Sequence, residues 1–155
     1  MKYFIRNIRI GIRNLIRWFP VIWNDRQWDS YYFFSIMRRK LQIMEPFYRY
    51  DAMVLRREKE ADRMKVCIML LDRIIKEEYN EMAFKKFEET WGESEMLFND
   101  NGSLNIVYEN VKTEEDEKNK NKDIKESHSN EEFLINQDIE YLFKILNKRI
   151  RLWWD

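Results

Sequence analysis

The N-terminal segment is strongly basic, although the chain as a whole is neutral. Residues 1–24 carry five basic side chains and no acidic one, while the whole chain has 28 of each sign. The basic residues recur every three or four positions and therefore share one side of a helix: Lys2, Arg6, Arg9, Arg13 and Arg17. Apolar residues share another side: Ile5, Ile8, Ile12, Leu15 and Ile16. This pattern predicts an amphipathic helix over residues 2–19, limited by Pro20.

Three roles are consistent with this helix. Its arginines could neutralise nucleic-acid phosphates or meet an acidic protein surface. Its basic and apolar sides are also typical of a helix that lies on an anionic membrane, which is the least favoured external partner. In the third interpretation, the isoleucines pack in the core and the arginines pair with acidic residues of the same chain.

Charge is unevenly distributed along the sequence. Residues 1–50 contain ten Lys or Arg and three Asp or Glu, a balance of +7. Residues 51–155 contain the other 18 basic and 25 acidic residues, a balance of −7. The basic part is therefore expected to meet either acidic residues of the protein or its homo-oligomer, or an external polyanion.

The composition predicts a mainly α protein with a single core. A chain of 155 residues is normally one domain, and only 3 Gly and 2 Pro interrupt it. The single cysteine, Cys67, excludes an intramolecular disulfide, and the single histidine, His128, excludes a cluster of histidine ligands. We find no apolar run typical of a transmembrane helix or signal peptide, so we expect a cytoplasmic protein.

Periodicity predicts a bundle of four to five helices with one β-hairpin. A second helix is expected over about residues 26–44, and a third is expected to begin near Asp51. The third helix has an exposed, charged first half and a core stripe that includes Met64, Cys67 and Leu71. A further helix ends at Gly92. Two apolar segments flanking Asp100-Asn101-Gly102 predict the hairpin, because Asn-Gly favours a tight turn.

These patterns predict that the chain is divided into three parts. Residues 1–110 are predicted to form the helical domain, with the hairpin at its end. Residues 111–131 hold many acids and lysines and predict a charged linker before the last helix. Residues 132–155 are predicted to pack back on the same domain, bringing Trp153 and Trp154 near the aromatic segment 18–28.

The aromatic segment from Trp18 to Phe34 is expected to be part of the core, since large rings bury much area. If its rings are exposed, they are typical interface anchors. The candidate partner-binding residues are Arg6, Arg9, Arg13, Arg17, Trp18, Trp23 and Arg26. Trp153 and Trp154 are a candidate terminal aromatic anchor, because two indoles at a chain end are costly to leave in water.

No motif predicts a catalytic residue, a metal or a cofactor. Glu77, Glu78 and Glu81 form an E-E-x-x-E pattern that resembles the first metal motif of the all-α nucleoside triphosphate pyrophosphohydrolases. The second acidic pair of that family is not found at its usual spacing, so a solvated helix face is the favoured interpretation. Cys67 is expected to be a small buried hydrophobe, and His128 a solvated linker residue.

Three aromatic motifs resemble a group of small bacteriophage-encoded proteins that has no assigned function. They are Trp18-Phe19-Pro20-Val21-Ile22-Trp23-Asn24-Asp25-Arg26-Gln27-Trp28-Asp29, Trp91-Gly92, and Tyr141-Leu142-Phe143-Lys144 with the ending Trp153-Trp154-Asp155. The resemblance spans most of the chain and implies a phage protein that acts in the bacterial cytoplasm. It implies no catalytic residues.

The function expected from these observations is non-enzymatic. The chain is expected to be a phage accessory protein that binds a host or defence macromolecule, a protein or nucleoprotein, as an anti-CRISPR-like inhibitor does. Nucleic-acid binding through the basic helix is the first alternative. A Mg²⁺-dependent nucleotide pyrophosphohydrolase and a virion or oligomeric structural protein are further alternatives.

Overall fold

The computed structural model describes residues 2–26, 28–29, 31–53, 55–99 and 102–153. In this part of the chain the fold is mainly α, with one antiparallel two-stranded hairpin, as the sequence predicts. The helices are α1 Lys2–Ile22, α2 Tyr31–Pro46, α3 Arg57–Lys76, α4 Tyr79–Trp91 and α5 Glu114–Arg149. The strands are β1 Ser94–Phe98 and β2 Leu104–Tyr108. A π-helical turn, Phe47–Asp51, follows α2, and a 3₁₀ turn, Ile150–Trp153, follows α5.

The chain divides into two compact units. The first unit comprises Met1–Lys76 and Tyr141–Asp155, and the second comprises Glu77–Glu140. The hairpin therefore groups with α4 and most of α5, and not with the N-terminal helices. The end of α3 coincides with the boundary, where Glu77 adopts a left-handed conformation with φ of 54°.

The first unit has its core on α2, α3 and the C-terminal part of the chain. The buried apolar residues of α3 recur at helical spacing: Ala61, Met64, Cys67, Leu70, Leu71 and Ile74. Leu41 of α2 and Leu142 and Leu146 of α5 are also buried. An ion pair from Arg38 to Asp72, 2.7 Å between Nη1 and Oδ1, joins α2 to α3. The predicted stripe of the third helix is therefore core.

The second unit pairs α4 with α5 in antiparallel orientation. Near the start of α4, the Tyr79 hydroxyl donates to Asp138 Oδ2 at 2.7 Å. At its end, the Trp91 indole N–H donates to Asp123 Oδ2 at 3.1 Å. Because the contacts move backwards along α5 as α4 advances, the two helices run in opposite directions.

The hairpin pairs Ser94 with Tyr108 at one end and Phe98 with Leu104 at the other. Gly92 joins it to α4 with φ of 73°, and a Cβ there would lie 3.1 Å from the Cβ of Glu109. A larger residue at this position would therefore meet a backbone penalty and a tight contact that Glu109 would have to relieve. Two residues of the predicted turn, Asp100 and Asn101, lie outside the described residues.

Both proline boundaries differ from the prediction. Pro20 and Pro46 lie inside the last turns of α1 and α2. A proline this close to a helix C-terminus removes one backbone hydrogen bond and strains only the turn before it, so the earlier turns persist. After Pro46 the chain continues as the π-helical turn, where Ala52 N donates to the Phe47 carbonyl at 2.9 Å.

The charged linker predicted over residues 111–131 is instead largely the first half of α5. Thr113 and Asp116 form a reciprocal capping box, in which Thr113 N donates to Asp116 Oδ2 at 2.8 Å and Asp116 N donates to Thr113 Oγ1 at 3.1 Å. Hydrogen bonding with Thr113, and then with the backbone of Lys112 and Thr113, holds the pKa of Asp116 below its ordinary value. Four acids in the first turn also favour the positive end of the helix dipole.

Substitution of Lys122 by proline tests whether this segment is a helix or a linker. Lys122 is exposed inside α5, and proline there removes a backbone hydrogen bond and clashes with the preceding turn, at a cost of about 3 kcal/mol. We expect Lys122→Pro to lower the helical circular dichroism signal and the urea midpoint, whereas Lys122→Ala leaves both near wild type. Equal behaviour of the two variants would show that this segment is not helical.

Candidate interaction surface on the first helix

Helix α1 has three distinct sides. The apolar side carries large residues at helical spacing, all exposed: Phe4, Ile5, Ile8, Ile12, Leu15, Ile16, Phe19 and Ile22. The basic side carries Arg6, Arg9, Arg13 and Arg17, also exposed. By the same spacing, Asn7, Asn14, Trp18 and Val21 occupy the third side. Of the α1 side chains that the structure describes, Trp18 and Val21 are the partly buried ones.

The third side attaches α1 to α2. Trp18 lines an apolar cavity of about 760 Å³ together with Ile36, Met37 and Leu41 of α2. Beside it, Arg39 Nε donates to the Arg17 carbonyl at 2.9 Å. Helix α1 therefore contacts its own unit through the side that carries neither the isoleucines nor the arginines.

The interpretation in which the isoleucines of α1 pack in the core is wrong. Ile5 and Ile12 each expose 53% of their surface, and Ile8 exposes 47%. The core of the first unit is built from α2, α3 and α5, so the apolar side of α1 has no place in it. Helical periodicity distinguishes the sides of a helix, but it does not say which side the protein covers.

The aromatic segment is also more exposed than expected. Trp23 exposes 71% of its surface and Trp28 79%, so neither is core. The rings of Phe19 and Trp23 pack against each other, with centroids 5.0 Å apart, at the end of the apolar side. For Trp23, the alternative considered for exposed rings, an interface anchor, stays a prediction. Trp18 instead attaches α1 to α2.

The arginines of the candidate site have no carboxylate partner among the residues that the structure describes. This holds for Arg6, Arg9, Arg13, Arg17 and Arg26. Arg6 lies over the ring of Tyr3, with its Cζ 5.0 Å from the ring centroid. In contrast, Arg49 is bound by Glu45 at 2.6 Å and by Asp62 at 3.0 Å. These arginines are therefore available to an external anion.

Trp153, one residue of the candidate terminal aromatic anchor, is buried inside the first unit. Trp153 exposes only 5% of its surface, and its indole N–H donates to Glu60 Oε2 at 2.9 Å. Glu60 is itself buried and also pairs with Arg63, while Arg149 Nη1 lies 3.8 Å from its Oε1. Trp153 lines the same cavity as Trp18. The other candidate anchor, Trp154, lies outside the described residues.

Glu60 was missed by sequence reasoning, which placed the charged first half of the third helix in solvent. A buried carboxylate requires hydrogen-bond donors, and here the Trp153 indole and the Arg63 guanidinium supply them, with Arg149 forming a longer ion pair. Two of these partners lie about 90 residues away in the sequence, so the segment itself carries no signal of burial. Glu60 is consequently a structural residue of the first unit.

The carboxylate pattern considered for Mg²⁺ does not form a site. Glu77 lies in the turn between α3 and α4, so it does not share a helix face with Glu81, and Glu78 precedes the first turn of α4. No group of three or more His, Cys, Asp or Glu side chains is arranged to hold a metal within the described ranges.

His128, which was expected in a linker, lies in α5 with its ring 4.8 Å from that of Phe84.

Cys67 is fully buried on α3, as its position on the apolar stripe predicts. Burial raises the pKa of its thiol to about 11. Since the thiolate is the reactive form, the folded protein holds almost none of it at neutral pH.

Comparisons with models of known protein families, with curated proteins and with solved structures found no match for this chain. None of the helices in the described part of the chain has the length and apolar character needed to cross a bilayer.

The Trp153–Glu60 hydrogen bond is expected to stabilise the first unit. Trp153→Phe leaves a buried carboxylate oxygen without its donor, which costs about 1–3 kcal/mol. We expect a lower urea midpoint for Trp153→Phe and no change for Trp28→Phe, whose ring is exposed. A Trp153→Phe midpoint equal to that of wild type would contradict a stabilising role.

Cys67 is expected to resist alkylation in the native state. At pH 8 the folded thiol is protonated because its pKa is about 11, whereas unfolding returns the pKa to its ordinary value of 9.0. Iodoacetamide should therefore label Cys67 rapidly in urea and very slowly in buffer, as measured by mass spectrometry. Labelling of the native protein at the rate of a free thiol would show that Cys67 is accessible.

Proposed function

We propose that this chain is a non-enzymatic interaction protein that binds a host component through α1. The observation that carries the proposal is the exposure of the whole apolar side of α1 beside a row of unpaired arginines. A monomeric protein rarely leaves a contiguous apolar patch that extends along a 21-residue helix in water without a partner for it. The function requires no catalytic group, since binding alone can block or relocate a target.

The biological setting follows from the resemblance to phage-encoded proteins. We place the protein inside the infected bacterial cell, where it acts as an accessory factor on a host or defence component. An anti-CRISPR-like inhibitor is one form of this function. The partner-binding residues are then those of the two open sides of α1, with Trp23 and Arg26 at their end.

Direct nucleic-acid binding is the second candidate function, and the row of four arginines supports it. Phosphate contacts by such a row produce an affinity that falls steeply with salt. This function uses only the basic side, however, and leaves the eight exposed residues of the apolar side without a role. It is therefore the weaker of the two.

The test is fractionation of a host extract that contains the tagged full chain. We expect the wild-type protein to co-fractionate with a host component and the Ile8→Glu/Ile12→Glu variant to elute as the free protein. Both residues are exposed, so far-UV circular dichroism should not change. The matched control is Met69→Glu on α3, because Met69 exposes 53% of its surface, the same fraction as Ile12.

Two results would count against the proposal. If the double variant co-fractionates as wild type does, α1 is not the binding element. If the association disappears when the extract is treated with nuclease, the protein binds nucleic acid and the second function takes its place.

A further inference from the structure

We propose that the surface bound by α1 is an anionic lipid bilayer, with the helix lying in the plane of the interface. This inference rests on the proposed function, in which α1 is the binding element, and names the class of its partner. Three features of α1 support it: the size of its apolar side, the position of its cations and the aromatic residues at its end.

The apolar side is large enough for interfacial binding. Its eight residues extend over α1, which is 21 residues and about 30 Å long. Large side chains that are each roughly half exposed amount to an apolar surface on the order of 1,000 Å², above the 300–600 Å² of the largest patch on a typical monomer. A helix of this kind binds a bilayer by burying such a side to the depth of the headgroup boundary.

The cations are placed to meet lipid phosphates when the apolar side is buried. The centres of the basic and apolar sides are about a third of a turn apart, so the arginine row borders the apolar side along the helix. With the apolar side in the acyl region, long arginine side chains can extend to the headgroup level. The absence of any acidic residue from residues 1–24 removes repulsion from an anionic surface.

The attachment of α1 to α2 through its third side does not prevent the apolar side from facing a bilayer. Trp18 contacts α2, while the apolar and basic sides remain exposed, so α1 can bind without leaving its own unit. At the end of the helix, Phe19 and Trp23 form an exposed ring pair. Indole rings favour the boundary between apolar and aqueous phases, and Trp23 is positioned as an interfacial anchor.

Other partners explain less of the surface. A nucleic acid would neutralise the arginines but leave the apolar side in water. A second copy, pairing the apolar sides about a twofold axis, would bring two arginine rows towards each other without any acid on α1 to balance them. A protein groove that accepts amphipathic helices would need an acidic rim matched to this row. A bilayer with anionic headgroups supplies an apolar phase for the apolar side and negative charge for the arginine row.

The experiment is flotation of the purified full chain with vesicles of phosphatidylcholine alone or containing about one-third phosphatidylglycerol. We expect strong binding to the anionic vesicles and weaker binding to the neutral ones. Each arginine near the surface contributes about fivefold, so Arg9→Gln/Arg13→Gln should weaken anionic binding about 20- to 30-fold and leave neutral binding nearly unchanged. Ile8→Glu/Ile12→Glu should weaken binding to both vesicle types more than tenfold.

Matched controls separate α1 from the rest of the chain. Met69→Glu introduces the same charge at an equally exposed apolar position of α3. Lys85→Gln/Lys86→Gln removes two exposed cations of α4. Both controls are expected to bind vesicles as the wild-type chain does, and far-UV circular dichroism reports whether each variant is folded.

Each outcome decides between the two proposals. Failure of the wild-type chain to bind anionic vesicles, while α1 is still required in host extract, overturns the lipid partner and leaves the proposed function intact. Vesicle binding that the α1 variants do not weaken overturns the inference, because another surface is then responsible. If the α1 variants behave as wild type in both assays, both proposals fail.

Discussion

A helix that packs on its protein through one side leaves its other sides to solvent or to a partner. In α1, the apolar side and the arginine side are the ones that are not packed. The Trp18 side chain and the backbone carbonyl of Arg17 contribute to the attachment to α2, and the arginine side chains of the basic side are not part of these contacts. The isoleucines and arginines are consequently available together, on one element, along about 30 Å. The function proposed for this chain depends on that arrangement more than on any single residue.

The first unit provides a platform for α1 through contacts that do not involve the open sides. The Arg38–Asp72 ion pair joins α2 to α3, and the buried Glu60 carboxylate joins α3 to the 3₁₀ turn through Trp153. A buried carboxylate is stable only when its donors are in place, so Glu60 selects one position for the end of the chain. Trp153, one residue of the candidate terminal anchor, thereby has a structural role, and the proposed partner binding rests on α1 and Trp23.

The sequence predicts the helices and strands of this fold better than it predicts which of their residues are buried. Helical spacing identified α1 and the core stripe of α3, and Asn-Gly identified the hairpin, because these signals are local. The residues from Thr113 to Asp116 fit a capping box, but the charged segment that contains them was interpreted as a linker, since α5 has no continuous apolar stripe there. The burial of Glu60 and the exposure of Ile12 depend on which distant residues fill the core, and no local pattern contains that information.

The neutrality of the whole chain does not oppose binding to an anionic bilayer. The Debye length at physiological ionic strength is about 8 Å, so carboxylates farther than this from the lipid headgroups repel them only weakly. The local balance decides the interaction, and in residues 1–24 it is five cations to no anion. In the proposed binding, the acidic balance of residues 51–155 disfavours those residues as the part of the chain that faces the lipid. The charge separation along the chain is compatible with internal pairing or with an external polyanion, and under the lipid proposal it would orient the protein with α1 towards the bilayer.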